Sequence, residues 1–336
     1  MARIEFRFLD RPQVRSLLPA PLDLLAIVES GLRAHGLGEV VLPPKAHIEL
    51  DDRYNGHFNV LAGWAAPVDM AGVKVIGDYV ENFRAGLPSE VAMLTLYDPR
   101  SGVPRALMDA TDLTTWRTGA VTAIGARHLA IGAPRIVGHI GARGTAFANI
   151  AALAALHELE EVRIASKRLE TREALAARVR ERLGLTARAV PGPEEACRGA
   201  DIVVEATRLE QPALLIRDEW LEQDCLVVTY GWKMAIDPRT VLSASKVVVD
   251  DWAQCLRGGQ LLPMIESGEL TRDRIHAEIG EIVCGRKAGR ASSDGRIVFW
   301  HRGFAISDIV LGTHILEAAE RGGIGTMLTL FDEPDE

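Results

Sequence analysis

A chain of 336 residues, 48% hydrophobic and 25% charged, suits one large or two ordinary globular domains. Its net charge of −8 excludes a sequence-independent grip on nucleic acid or on an anionic membrane surface, since both need a basic face. No run approaches the ~18 uncharged apolar residues of a membrane span, and the four cysteines, Cys197, Cys225, Cys255 and Cys284, have neither zinc-site nor disulfide-framework spacing, so a reduced cytoplasm is the expected setting.

The N-terminal stretch MARIEFRFLDRPQVRSLL breaks its apolar residues with arginines and has no signal-peptide core. PLDLLAIVESGLRAH spaces its apolar residues as a helix does. VVLPPKAHIEL turns extended, because its two prolines block helix. YNGHFNVLAGW, GVKVIGDYV, EVAMLTLYDP and PRALMDA read as further strands, the last two joined by the turn DPRSG. Together they form a small mixed α+β domain.

From Asp112 the pattern changes. DLTTWRTGAVTAIGARHLA predicts a long alanine-rich helix, followed by alternating strands and helices. The strands are RIVGHIG, EVRIAS, ARAV, DIVVEAT, CLVVTY and KVVVD, and several are near-continuous apolar runs, as strands covered on both faces should be. TAFANIAALAALHEL and LETREALAARVRERLG supply helices between them. The fold class is α/β: a Rossmann-type doubly wound parallel sheet, residues 116–300, inserted into a smaller α+β substrate-binding and dimerisation domain, residues 1–115 and 301–336. A late strand, RIVFW, and a helix near 306–320 are expected to return to the first domain, before an acidic tail, FDEPDE.

RIVGHIGARGTAFANIAALAAL fits the strand, turn and helix that open a dinucleotide site. Gly141 meets the need for a tight bend, and the small Ala146 lets the helix approach the strand. Arg143 stands where a second glycine would let backbone reach the pyrophosphate, with Gly144 one step late. An arginine there can instead act as a charged partner of the phosphates. Gly141, Ala142, Arg143, Gly144 and Thr145 therefore form the candidate phosphate turn, and Thr207, the last residue of DIVVEAT, joins the cofactor set. The second strand runs into Ser166, Lys167 and Arg168, with no carboxylate before Glu170. A hydroxyl and two cations suit a 2′-phosphate, which favours NADP(H) and leaves NAD(H) possible.

KVIGDYVENFRAGLP and YDPRSGVPRALMDATDLTTWRTGAVTAIGARHLA resemble the ornithine cyclodeaminase/μ-crystallin family. DPRTVLSASKVVVDD and HAEIGEIVCGRKAGRASSDGRIVFWHRGFAISD are similar to its C-terminal blocks, so the resemblance covers nearly the whole chain in order. It implies an NAD(P)-dependent protein acting on a small amino acid or cyclic imine, a Rossmann domain inserted into a second domain, and a homodimer. Matched motif to motif, it implies that Lys45 and Arg117 hold the substrate carboxylate, that Lys74 faces the substrate, and that Thr118 faces the cofactor. Asn82 and Pro88 fall in its N…GLP segment, and Asp308 matches an aspartate near where the family closes over the cofactor.

The chemistry gives these residues roles of their own. A carboxylate needs a cationic clamp, for which arginine offers a fork and lysine a point charge. A buried lysine beside other cations can exchange a proton with the substrate nitrogen. Lys74 and Arg117 are thus the catalytic candidates, with Lys45, Asn82 and Tyr230 as substrate-binding candidates. No metal is expected, since His47, His57, His128, His276 and His301 have no ligand spacing.

Cyclodeaminases carry an aspartate where this chain has Thr229, followed by Tyr230, and the next carboxylate after it is Asp237, several residues on. That departure favours an imine reductase or amino acid dehydrogenase over a lyase that holds NAD tightly and releases ammonia. A nucleotide binder without turnover is the alternative outside enzymes, and the presence of both Lys74 and Arg117 speaks against it.

Overall fold

The computed structural model describes residues 2–333. Its chain divides into two compact units, one formed by residues up to Arg117 together with those from Phe304 onward, the other by Thr118–Gly303.

The first unit is built on a mixed sheet. Its strands are β1 (Ala2–Leu9), β2 (Val40–Val41), β3 (Ala46–Glu49), β4 (Gly56–Ala65), β5 (Met70–Tyr79), β6 (Glu90–Tyr97), β7 (Pro104–Asp109) and the C-terminal strand β16 (Thr326–Glu333). They are ordered β16-β1-β7-β6-β5-β4-β2, with β3 also on β4. Helix Ala305–Gly322 covers one face: a Cβ on Gly312 would lie 2.4 Å from Leu94 and one on Gly72 2.8 Å from Ile309. Helix Pro21–Leu37 lies against it in turn, through Gly31 and the side chains of Ile306 and Val310. The other face is apolar and open. Val75, Val91 and Met93 are 39, 48 and 51% exposed there, beside a groove of about 620 Å³ that Phe58, Tyr79, Asn82 and Tyr97 also line.

β1 is absent from the sequence reading, although Ile4, Phe6 and Phe8 alternate with Arg3, Glu5 and Arg7 at the strand period. It pairs antiparallel with β16, so Phe331 and Asp332 of the supposed acidic tail sit opposite Ile4 and Arg3.

The second unit holds β8 (Ile136–Ile140), β9 (Glu161–Ala165), β10 (Thr186–Ala189), β11 (Ile202–Glu205), β12 (Leu226–Thr229), β13 (Lys246–Val249), β14 (Ile275–Glu278) and β15 (Ile297–Trp300). All pairings are parallel, in the order β10-β9-β8-β11-β12-β15-β13-β14. The order in which strands are added reverses between β8 and β11, which makes the carboxyl ends of these two strands the switch point of a doubly wound sheet. RIVFW does not return to the first unit: as β15 it lies between β12 and β13, and only the helix after it leaves. The cause is burial, since all four residues of β15 are covered and Trp300 and Phe299 are among the largest buried side chains. Among the described residues no helix is long and apolar enough to cross a membrane.

Candidate active site

Two constellations carry chemistry, one in each unit. In the first unit, strand alternation sends Val73 and Val75 to the open face and Lys74 to the helix-covered one. Lys74 is 1% exposed. Its Nζ lies 2.7 Å from Oδ1 of Asp308 and donates to Oγ1 of Thr114 at 3.1 Å. The same Oδ1 accepts from Nε of Arg117 at 2.9 Å. Asp308 belongs to the first turn of helix Ala305–Gly322, while Thr114 and Arg117 stand one turn apart on helix Thr111–Leu129. Two cations thus share one buried carboxylate oxygen, and the other oxygen, Oδ2, is buried without a hydrogen-bond partner.

Burial, and then the charge of Arg117, lower the Lys74 pKa from 10.5 to about 8, with Asp308 opposing the fall. A lysine that exchanges its proton near neutral pH fits an acid–base role. Asp308 engages Arg117 through Nε, which leaves the Nη edge for a bidentate carboxylate. The local charge of two cations and one anion favours an anionic ligand.

Asp308 is therefore placed with Lys74 and Arg117, whereas the sequence reading assigned it to the cofactor. Lys45 immediately precedes β3, whose Ala46 pairs with Val60, next to the Leu61–Lys74 pair of β4 and β5. Asn82 is not brought to Lys74. Its amide donates to the Pro88 carbonyl at 2.8 Å, closing its own loop, and it lines the groove on the opposite sheet face.

In the second unit the turn after β8 is a tight glycine bend. Gly141 has φ +109°, and a Cβ there would lie 2.5 Å from the Ala206 carbonyl oxygen, so only glycine fits. Gly144, at φ +56°, has open space around it, and Arg143 is exposed. His139, fully buried on β8, turns Nδ1 to the Gly141 carbonyl at 2.8 Å, and burial lowers its pKa to about 4. It is therefore neutral, donating from Nδ1 and accepting at Nε2 from Asn149 at 3.0 Å. Thr145 begins helix Ala146–Leu156 without capping it by its side chain. Its hydroxyl bonds Tyr230 instead, at 2.6 Å, and Asn149 donates to the same Tyr230 oxygen. The Ala146 amide donates to the Arg143 carbonyl at 3.1 Å, which closes the turn onto the helix start. A glycine cradle and an uncapped helix start fit a dinucleotide pyrophosphate, with Gly141, Ala142, Arg143, Gly144 and Thr145 around it.

Tyr230, expected to touch substrate, is held at this helix start, with its ring 4.5 Å from that of His301. His301 in turn meets Thr122 at 3.1 Å, one helical turn beyond Thr118. After β9, Lys167 and Arg168 are exposed, while Ser166 bonds the Arg168 carbonyl and Thr171. Thr207 directs both its amide and its hydroxyl at Glu205, a carboxyl the sequence reading passed over. Its signal was readable: a lone acid ends the apolar run of DIVVEAT. Thr229 is buried and donates to Glu205 as well, at 3.0 Å. Asp237, by contrast, caps helix Pro238–Leu242 and pairs with Arg239.

Known proteins are similar to this chain in sequence and fold. The family model described as "Ornithine cyclodeaminase/mu-crystallin family" matches residues 7–323. An alanine dehydrogenase of Archaeoglobus fulgidus is 30% identical over 332 residues, covering 98% of this chain and 99% of its own. A solved Thermococcus litoralis Delta(1)-pyrroline-2-carboxylate reductase, in complex with NADH and L-proline, superposes with a TM-score of 0.89 at 28% identity, over 96% of this chain and 99% of that one. An archaeal alanine dehydrogenase dimer with bound NAD gives 0.90 at 29% identity, over 98% and 100%. With motifs, fold and end-to-end similarity in agreement, the chain belongs to the ornithine cyclodeaminase/mu-crystallin family.

Proposed function

We propose that this protein is an NAD(P)-dependent oxidoreductase that interconverts a small imino acid, cyclic or linear, and the corresponding amino acid. The observation that carries the reading is the shared Oδ1 of Asp308, which holds Lys74 and Arg117 together in a buried site. Arg117, with Lys45, binds the substrate carboxylate and orients the carbon–nitrogen bond. Lys74 gives a proton to nitrogen in the reductive direction and takes it in the oxidative one. The nicotinamide cofactor, when bound, supplies or accepts the hydride, and the turn at 141–145 holds its pyrophosphate. Similarity to a pyrroline-2-carboxylate reductase solved with NADH and L-proline and to an alanine dehydrogenase supports this substrate class.

NADP(H) is the preferred cofactor in this reading, because Lys167 and Arg168 follow β9 where an acid would serve the ribose of NAD. The protein is a homodimer through the open sheet face, whose exposed Val75, Val91 and Met93 a second copy would cover. A dimer that survives Met93→Glu together with Val91→Glu in analytical ultracentrifugation would refute that surface. Four free cysteines suit a reducing compartment.

The test is absorbance of the reduced nicotinamide, with NADPH or NADH supplied to a panel of cyclic imines and of 2-oxo acids with ammonia or methylamine. Oxidation with a panel member is expected. Silence throughout, with ammonia released from ornithine or a relative, would make the protein a cyclodeaminase in spite of Thr229.

A further inference from the structure

Glu205 ends β11, beside the switch point, and is fully buried. Its Oε1 accepts from the Thr207 amide at 2.8 Å and from the Thr207 hydroxyl, and its Oε2 from the Thr229 hydroxyl at 3.0 Å and from Nε2 of Gln260 at 2.6 Å. Gln260 uses its own carbonyl to accept the Ala235 amide at 3.1 Å. One carboxyl thereby ties the end of β11, the end of β12 and the 230–235 segment to the loop at Gln260. The fit is close, since a Cβ on Gly231 would lie 3.0 Å from both Gln260 Nε2 and Glu205 Oε2.

Packing does not explain an acid here. Ile202, Val203 and Val204 fill the rest of the strand, and an apolar residue at 205 would avoid the desolvation cost of a carboxyl. Burial raises the pKa of Glu205, and its donors pull the other way. Four donors saturate both carboxylate oxygens, so the ionised form is the one the arrangement suits. With their protons engaged by Glu205, Thr207 and Thr229 have only hydroxyl lone pairs left to turn elsewhere. In a doubly wound sheet the turn after β8 starts the half that binds the adenosine nucleotide, and β11, β12 and their loops belong to the other half.

We propose that Glu205 is the positioning residue for the nicotinamide half of the site, fixing Thr207, Thr229 and the 230–235 segment as one wall. The inference rests on the dinucleotide reading above. It also gives this half a carboxyl, bonded to Thr229 rather than standing at that position.

The test compares Glu205→Gln with the unaltered protein in binding NADPH, NADH and ADP-ribose (with and without its 2′-phosphate). Glutamine keeps the shape but sets an amide NH₂ against one pair of donors. We expect reduced nicotinamide binding at least tenfold weaker, with ADP-ribose binding within twofold of the original. Unchanged binding of all ligands would overturn the proposal, and so would equal weakening of all, which marks a purely structural role. If Glu205→Gln does not fold, Gln260→Met removes one donor and is read by the same criteria. Failure of the unaltered protein to bind any of these ligands would instead refute the dinucleotide reading, and the proposal with it.

Discussion

Nζ of Lys74 stands 2.7 Å from Oδ1 of Asp308, with the two side chains 1 and 0% exposed. Residues 234 positions apart (308 − 74) in sequence are thus joined in a buried ion pair, which Arg117 completes from a third element. An isolated buried pair is poor evidence of stability, because desolvation offsets much of the attraction. The value of this one lies in setting the protonation of Lys74.

The pH dependence of the two reaction directions should mirror each other. Lys74 has its pKa lowered to about 8. In reduction it must be protonated, so kcat/KM should be full below this value and fall as pH rises through it. In oxidation the neutral amine is needed, and kcat/KM should rise through the same range. Stability follows a related sign: between about 8 and the ordinary 10.5 the unfolded chain binds more protons at this residue, so its contribution grows more favourable with pH. Limbs of the same sign in both directions would remove Lys74 from proton transfer.

Asp308→Asn keeps the shape and removes the charge that raises the Lys74 pKa. The reductive limb should therefore move to lower pH, measured as kcat/KM profiles beside a thermal melt. A limb that stays in place would show that another group controls it.

Arg117→Ala removes the guanidinium proposed to clamp the substrate carboxylate. Loss of a desolvated pair of this kind costs about 2 kcal/mol or more, or roughly 30-fold in KM for a carboxylate substrate. An unchanged KM would exclude Arg117 from carboxylate binding.

Arg168→Ala tests the cofactor preference. Its guanidinium is exposed on the loop after β9, so NADPH should bind more weakly in fluorescence titrations while NADH changes little. Equal losses for both would overturn the 2′-phosphate assignment.

Gly141 and Gly144 share positive φ but not their surroundings. Gly144→Ala enters open space and should cost only the left-handed backbone penalty, about 1 kcal/mol. Gly141→Ala drives a Cβ into the Ala206 carbonyl and should abolish dinucleotide binding in the same titrations. A Gly141→Ala protein that binds normally would place the phosphates elsewhere.

Much of the second unit was legible because its signals are local. Apolar runs such as IVVE and LVVT read as strands covered on both faces, and G-A-R-G-T between strand and helix reads as a turn. Arg143 broke the expected spacing, yet the positive φ values of Gly141 and Gly144 still close the bend. In RIVFW the run itself was clear, but which sheet it joined was not, since parallel neighbours are distant in sequence.

The sequence by itself determined the alternation of β5, and with it that Lys74 faces away from Val73 and Val75. It also determined the glycine turn and the basic loop after β9, because each depends on neighbours within a few residues. Only the tertiary structure decided that Lys74 faces the covered side, with Asp308 and Arg117, and that Asn82 serves its own loop. It alone made Glu205 a hub for Thr207, Thr229 and Gln260. The physical reason is common to these cases: burial and charge pairing are set by long-range packing, and a period-two pattern names two faces without saying which one a distant helix will cover.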